Sequence, residues 1–238
     1  NQSSCNKDYS CLNGFCPSFV TAEGAKVRKP QTATLSFEKI EADIPEPVMP
    51  EIERSYNILV PGVGGTGVVT IGALLGMASH LEQKGVNVLD ITGLAQKGGA
   101  VVSHVQIGNQ PADLHATRIG MGEADLIIGC DAIVAASREI TSKTRRGITV
   151  AAINSAKVPT AEIFQNPKWQ FPSALTEQDM QDLLGKDKCD FLDANGYAVA
   201  LLGDAIFANP LMLGYAWQKG WIPLHHESLE RAIELNGV

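Results

Sequence analysis

The chain predicts an α/β fold of three α/β/α layers, built on a Rossmann-like, mostly parallel but mixed sheet of about five strands. Two observations carry this. A strand, a glycine turn and a helix follow one another between Tyr56 and Gln83, and short apolar runs then alternate with helical patterns. The 238 residues, 45% hydrophobic and 19% charged, suffice for one full core and a small appendage.

Tyr56 to Val60 is the first expected strand, and Val68 to Gln83 an apolar helix that Gly85 can stop from the left-handed conformation. A second strand at Asn87 to Ile91 is followed by a glycine-rich loop, Gly93 to Gly99, and an alternating strand, Ala100 to Ile107. Ala124 to Cys130 and Gly147 to Ile153 complete the five strands, with a helix at Ile133 to Thr141 between them. Helices are expected at Thr176 to Leu184, Asp193 to Phe207, Asn209 to Gln218 and Ser228 to Leu235.

Three regions are expected along the chain. Residues 1–28 carry three of the five cysteines, residues 29–54 form a linker containing Pro30, Pro45, Pro47 and Pro50, and residues 55–238 form the α/β domain. A net charge of -7 with no long basic run argues against nucleic acid as a partner. No apolar stretch reaches the roughly 20 residues that cross a bilayer. The first residue is Asn1, so the native chain is expected to begin earlier. The uneven spread of cysteines fits a reducing, cytoplasmic setting better than a disulfide ladder.

Gly62-Val-Gly64-Gly65-Thr66-Gly67 stands between strand and helix, where backbone N–H groups can cradle a phosphate. Asp90 lies about where a dinucleotide fold places its ribose-binding acid, which gives one reading: a Rossmann-type NAD or FAD module. That fold needs a helix after its second strand, and here a loop and another strand follow. The glycines equally suit a tight turn with close helix–strand packing, and Thr66 is placed to cap the helix in either case.

The segments Val60-Pro-Gly-Val-Gly-Gly-Thr-Gly-Val-Val-Thr70 and Gly93-Leu-Ala-Gln-Lys-Gly-Gly-Ala-Val-Val-Ser-His104 resemble the gamma domain of bacterial indolepyruvate ferredoxin oxidoreductases, in the 2-oxoacid:ferredoxin oxidoreductase family. Asn209-Pro-Leu-Met-Leu-Gly-Tyr215 and Gly220-Trp-Ile-Pro223 extend the resemblance. The segment from Asn1 to Val20 resembles the ferredoxin-like stretch that precedes this domain in the fused bacterial enzyme. The resemblance implies an oligomeric enzyme that oxidatively decarboxylates an arylpyruvate on thiamine diphosphate and magnesium, forms an acyl-CoA and passes electrons through [4Fe–4S] clusters to ferredoxin. The thiamine site would lie in other domains, so no catalytic residue is carried over and the fragment alone is expected to be inactive. Its partners would be the other domains or subunits of that enzyme.

Cys5, Cys11 and Cys16 are spaced C-x5-C-x4-C before Pro17, and only the Cys-Pro ending matches a bacterial ferredoxin run. Soft thiolates suit an iron–sulfur cluster or zinc, and three are one short of a four-cysteine cluster, so a missing ligand is expected upstream or in another chain. Lys97, Gly98 and Gly99 form a loop suited to a subunit contact, to a CoA phosphate or to neither. The turn from Gly64 to Gly67 suits a CoA phosphate by the same argument as a dinucleotide. Cys130 and Cys189 read as core thiols, and the five histidines as structural or solvated. Asp90, Asp125 and Asp131 read as caps, and Trp169, Trp217 and Trp221 as packing or interface anchors.

Overall fold

A computed structural model describes residues 23–24, 44–93, 99–157 and 173–237. By its internal contacts the chain divides into two compact units, Asn1–Gln31 and Thr32–Val238, and the α/β architecture belongs to the second. The sheet has six strands: β1 (Ser55–Val63), β2 (Gly85–Thr92), β3 (Ala100–Gly108), β4 (Leu126–Gly129), β5 (Val150–Asn154) and β6 (Cys189–Leu192). Their order is β2-β3-β1-β4-β5-β6. Strands β1, β4, β5 and β6 run parallel, while β3 lies antiparallel between β1 and β2. The sixth strand, Cys189–Leu192, exceeds the expected five. At four residues it is too short to show a period, and its pairing with β5 alone makes it extended.

Helices cover both faces. On one lie α1 (Val68–Leu81), α5 (Ala194–Leu202), α6 (Ala208–Gln218) and α7 (His226–Asn236), packed on Ile58, Val60, Val105, Ile107, Leu126 and Ile128. On the other lie α2 (Ala132–Ala135), α3 (Arg138–Thr141) and α4 (Ser173–Leu184), against Leu59, Val102, Ile127, Ala151 and Ile153. Strand residues alternate between these two sets, which is the period-2 rule acting on a sheet buried on both sides.

Three local expectations are corrected. The helix expected over Ile133 to Thr141 is two short helices, because Ser137 is extended (φ -64, ψ 152) between them. The helix expected over Asp193 to Phe207 stops at Leu202, where Gly203 turns left-handed (φ 85), and a 3₁₀ turn follows at Ala205–Phe207. Helix α1 ends at Leu81, and Gln83 rather than Gly85 takes the left-handed backbone (φ 58). Gly85 serves a different need: a Cβ there would stand 2.5 Å from the backbone of Gln110, so only glycine admits the 109–111 turn against the start of β2.

Residues 45–52, inside the stretch expected to be linker, lie along the domain. Gln218 donates to the Pro45 carbonyl (2.8 Å), Asn109 donates to that of Ile52 (2.8 Å), and Gly220 leaves no room for a Cβ beside the Val48 carbonyl.

One face of the β1–β3 pair carries a polar layer. Gln106 donates to Asn57 (3.1 Å), Asn57 donates to the Glu123 carbonyl (2.9 Å), and Asp125 accepts from the Asn57 N–H (2.9 Å) while pairing with Arg145. His104 is fully buried and accepts the Ile119 N–H at Nδ1 (3.1 Å), so its proton sits on Nε2. Burial pushes its pKa down to about 4, with Lys143 and Arg118 adding to the fall and Glu139 opposing it. A folded pKa below the unfolded value means that His104 leaves stability intact above about pH 6.5 and subtracts from it as pH falls from there toward 4, in total on the order of 3 kcal/mol. Urea midpoints measured across that window should therefore decline on acidification, and the decline should be smaller in His104→Gln, which keeps an acceptor for Ile119 without the titration.

Candidate functional site

The glycine turn lies at the carboxyl edge of the sheet, where β1 and β4 are neighbours. From β1 the chain leaves through α1 on one face, and from β4 through α2 on the other. Such a switch point is where open α/β sheets offer a crevice to ligands.

Tight packing shapes the turn. A Cβ on Gly62 would come within 2.5 Å of Val68 Cγ2 and 2.8 Å of Cys130 Cβ, so this glycine lets β1, α1 and β4 meet. The Gly64 N–H donates to the Gly99 carbonyl (2.8 Å), which brings together the two glycine motifs 35 residues apart in sequence. Gly65 and Gly67 are left-handed (φ 86 and 94), a conformation that a side chain would strain. Thr66 does not cap α1. Its hydroxyl donates to the Val63 carbonyl (2.8 Å), and Gly67 occupies the cap position with no side chain bonded to the helix. The helix therefore begins with bare N–H groups and no acidic residue in its first turn, while Gly65 and Thr66 are exposed.

Two asparagines that the sequence reading did not assign to the site hold this edge together. Asn209, at the start of α6 and buried, donates to the Thr66 carbonyl (2.7 Å). Asn154, at the end of β5, donates to Asn195 (2.9 Å), and its own oxygen accepts from the N–H groups of Ala156 (3.1 Å) and Ala194 (3.2 Å). An Asn-Pro pair opening a helix and an Asn closing an apolar strand were the available signals. Beside Asn195, an open cleft of about 700 Å³ is lined by Ser155, Lys157, Asp193, Gly196 and Val199.

Asp131 caps α2 through the Val134 N–H (2.9 Å), as expected, and burial raises its pKa. Asp90 accepts from the Ser103 hydroxyl, and a strand rather than a helix follows β2, so the dinucleotide reading finds no support. Cys130 and Cys189 are buried free thiols whose pKa burial pushes up to about 12, which makes them inert core residues. Trp217 donates to the Leu224 carbonyl (3.0 Å), and Trp221 lies under the Lys219 ammonium. Lys97, Gly98, Trp169, Cys5, Cys11 and Cys16 lie outside the described residues. Among the described residues, no three His, Cys, Asp or Glu side chains are grouped to hold a metal, and no helix is long and apolar enough to cross a membrane.

A six-stranded mixed sheet with a glycine turn at its switch point is the frame of this domain. The family model described as pyruvate ferredoxin/flavodoxin oxidoreductase matches residues 57–236, and the chain belongs to that family. It is 28% identical over 183 residues to the indolepyruvate oxidoreductase subunit IorB of Methanothermobacter thermautotrophicus, covering 76% of this chain and 88% of the relative. The subunit of the same name from Thermococcus kodakarensis is 26% identical over 186 residues, with 77% and 87% covered. Among solved structures, the pyruvate oxidoreductase subunit PORC of Thermotoga maritima superposes with a TM-score of 0.53 at 17% identity, covering 77% of this chain and 86% of that one. The 2-oxoglutarate:ferredoxin oxidoreductase of Magnetococcus marinus gives a TM-score of 0.56 at 13% identity, but only 27% of that longer chain is covered. The two structures share the fold.

Replacing Gly62 by Ala should lower unfolding stability by about 1–3 kcal/mol, since backbone and packed side chains must both move. Asn209→Leu should cost about 1–2 kcal/mol through the orphaned Thr66 carbonyl. Urea titrations of both variants check these values.

Proposed function

We propose that this chain is the gamma-type part of an indolepyruvate or arylpyruvate ferredoxin oxidoreductase, an enzyme that oxidatively decarboxylates its 2-oxoacid to an acyl-CoA and reduces ferredoxin. The observation that carries the reading is the family match over residues 57–236, and the curated relatives named for indolepyruvate support the aryl preference. In this reading residues 1–28 are the iron–sulfur segment, 29–54 the linker and 55–238 the gamma domain, and the setting is the cytoplasm. Cys5, Cys11 and Cys16 supply thiolates to a [4Fe–4S] cluster completed by a ligand from elsewhere. Thiamine diphosphate and its magnesium supply the decarboxylation chemistry in other domains, and no step of it is assigned to residues of this chain. The partners are those domains or subunits, ferredoxin, the 2-oxoacid and CoA.

For CoA, the turn of Gly62, Gly64, Gly65, Thr66 and Gly67, with Gly99 against it and with Lys97 and Gly98 preceding Gly99 in sequence, is the proposed phosphate contact. The bare N–H groups at the start of α1 and the lack of acid in its first turn favour an anion there. Lys97 would add a positive charge.

Anaerobic reconstitution with the thiamine-bearing subunits should give indolepyruvate-dependent, CoA-dependent reduction of ferredoxin. Cys16→Ser should lower bound iron and acid-labile sulfide and weaken the electron paramagnetic resonance signal of the reduced protein. Iron-free preparations of both forms would remove the cluster assignment. Thr66→Glu, which sets a negative charge on the exposed turn, should weaken CoA binding by about tenfold or more in a calorimetric titration.

A further inference from the structure

The polar layer on the β1–β3 pair holds two side-chain atoms whose needs complement each other. His104 and Gln106 are neighbours on one face of β3, both buried, on a side of the sheet where Leu59, Val102 and Ile127 are aliphatic. The bonds around them fix which atom donates and which accepts. The Ile119 N–H can only donate, so His104 Nδ1 accepts it (3.1 Å) and the ring proton stands on Nε2. The Glu123 carbonyl can only accept, so Asn57 turns its amide nitrogen to it (2.9 Å) and its oxygen to Gln106. Gln106 meets that oxygen with its own nitrogen (3.1 Å), which leaves Oε1 as the free acceptor. Among the described residues neither His104 Nε2 nor Gln106 Oε1 has a hydrogen-bond partner, and both atoms are buried.

One donor and one acceptor select the ligand. An anion would face the Gln106 carbonyl oxygen, a metal cation would face the His104 N–H, and an apolar group would satisfy neither. Water accepts from the first and donates to the second, and a buried water needs roughly two to four such partners. Reach agrees with this choice. The two Cα atoms stand about 7 Å apart along the strand, and a water with bonds of about 2.8–2.9 Å on either side spans about 5 Å.

We propose that one water molecule is enclosed between His104 Nε2 and Gln106 Oε1 as a fixed part of the fold. It completes a chain in which every link donates in the same direction: the Ile119 N–H to His104, His104 to the water, the water to Gln106, Gln106 to Asn57, and Asn57 to the Glu123 carbonyl. Bonds aligned head to tail polarise and strengthen one another. Both ends of the chain lie on the segment between β3 and β4, so the water closes a ring that leaves this segment, crosses β3 and β1, and returns to it. The ring fastens Ile119 and Glu123 to the sheet just before β4, where the Asp125 N–H donates to the Asn57 carbonyl (2.9 Å) and brings the new strand alongside β1. The inference does not depend on the oxidoreductase reading.

A high-resolution crystal structure of the 238-residue chain tests the proposal. An isolated density peak within about 2.6–3.2 Å of both atoms is expected. A direct bond from His104 Nε2 to Gln106 Oε1, protein atoms standing between them, or no density there overturns it. In solution, relaxation dispersion of the water oxygen counts the waters that exchange slowly with the bulk. Gln106→Leu and His104→Phe should each lose one slowly exchanging water relative to the unaltered chain, and an unchanged count in both overturns the proposal. If neither variant folds, the crystal structure of the unaltered chain decides.

Discussion

The carboxyl edge of the sheet depends on the contact of Gly62 with Val68 and Cys130, where no side-chain atom can be added. It sets the depth at which α1 lies on the sheet and the distance at which β1 and β4 run side by side. The Cys130 N–H donates to the Pro61 carbonyl (2.8 Å) at the same level, so the two strands stay paired up to the turn. Everything at this edge inherits that geometry. The start of α1, the Gly64–Gly99 bond and the Asn209 brace on Thr66 all hold a turn whose position one missing Cβ determines.

The sheet's two faces are built on different principles. The α1 face has an aliphatic buried core with Tyr56, Phe207, Tyr215, Trp217 and Trp221 packed against it, and gains its stability from burial. The opposite face combines aliphatic packing beneath α2 to α4 with the Asn57, Gln106 and His104 layer, where bonding directions rather than volume specify the arrangement. His104 Nε2 and Gln106 Oε1 are buried and have no hydrogen-bond partner among the described residues. That layer ties the loop after β3 to the sheet through Ile119, Glu123 and Asp125, which orders the passage into β4.

Much of this was legible in the chain. The strand, turn and helix from β1 through α1 could be read because glycines and apolar runs there obey local rules, and the β2–loop–β3 succession already argued against a dinucleotide fold. The two glycine motifs carried the family. What could not be read depended on tertiary partners. Strand β6 exists through its pairing with β5. Gln83 accepts a left-handed backbone so that Gly85 can serve the crossing with Gln110, and the break at Ser137 has no proline or glycine to announce it. The bracing roles of Asn154 and Asn209 were hidden because amide side chains declare their partners only in three dimensions. Thr66, expected from its position to cap α1, does not, because its hydroxyl has a nearer acceptor in the Val63 carbonyl.

The position of β3 has a consequence for how the chain comes together. β1 and β2 run in the same direction but never touch, for β3 fills the space between them and pairs with both along nearly its whole length. As the polypeptide emerges from the ribosome, the strands on either side of α1 have no strand to bond until the residues up to Gly108 are available. The first half of the domain should then order in one step, when the β2–β3 hairpin closes onto β1. A nascent chain stopped short of that point would expose two unpaired strands and an apolar helix, the kind of species that chaperones engage.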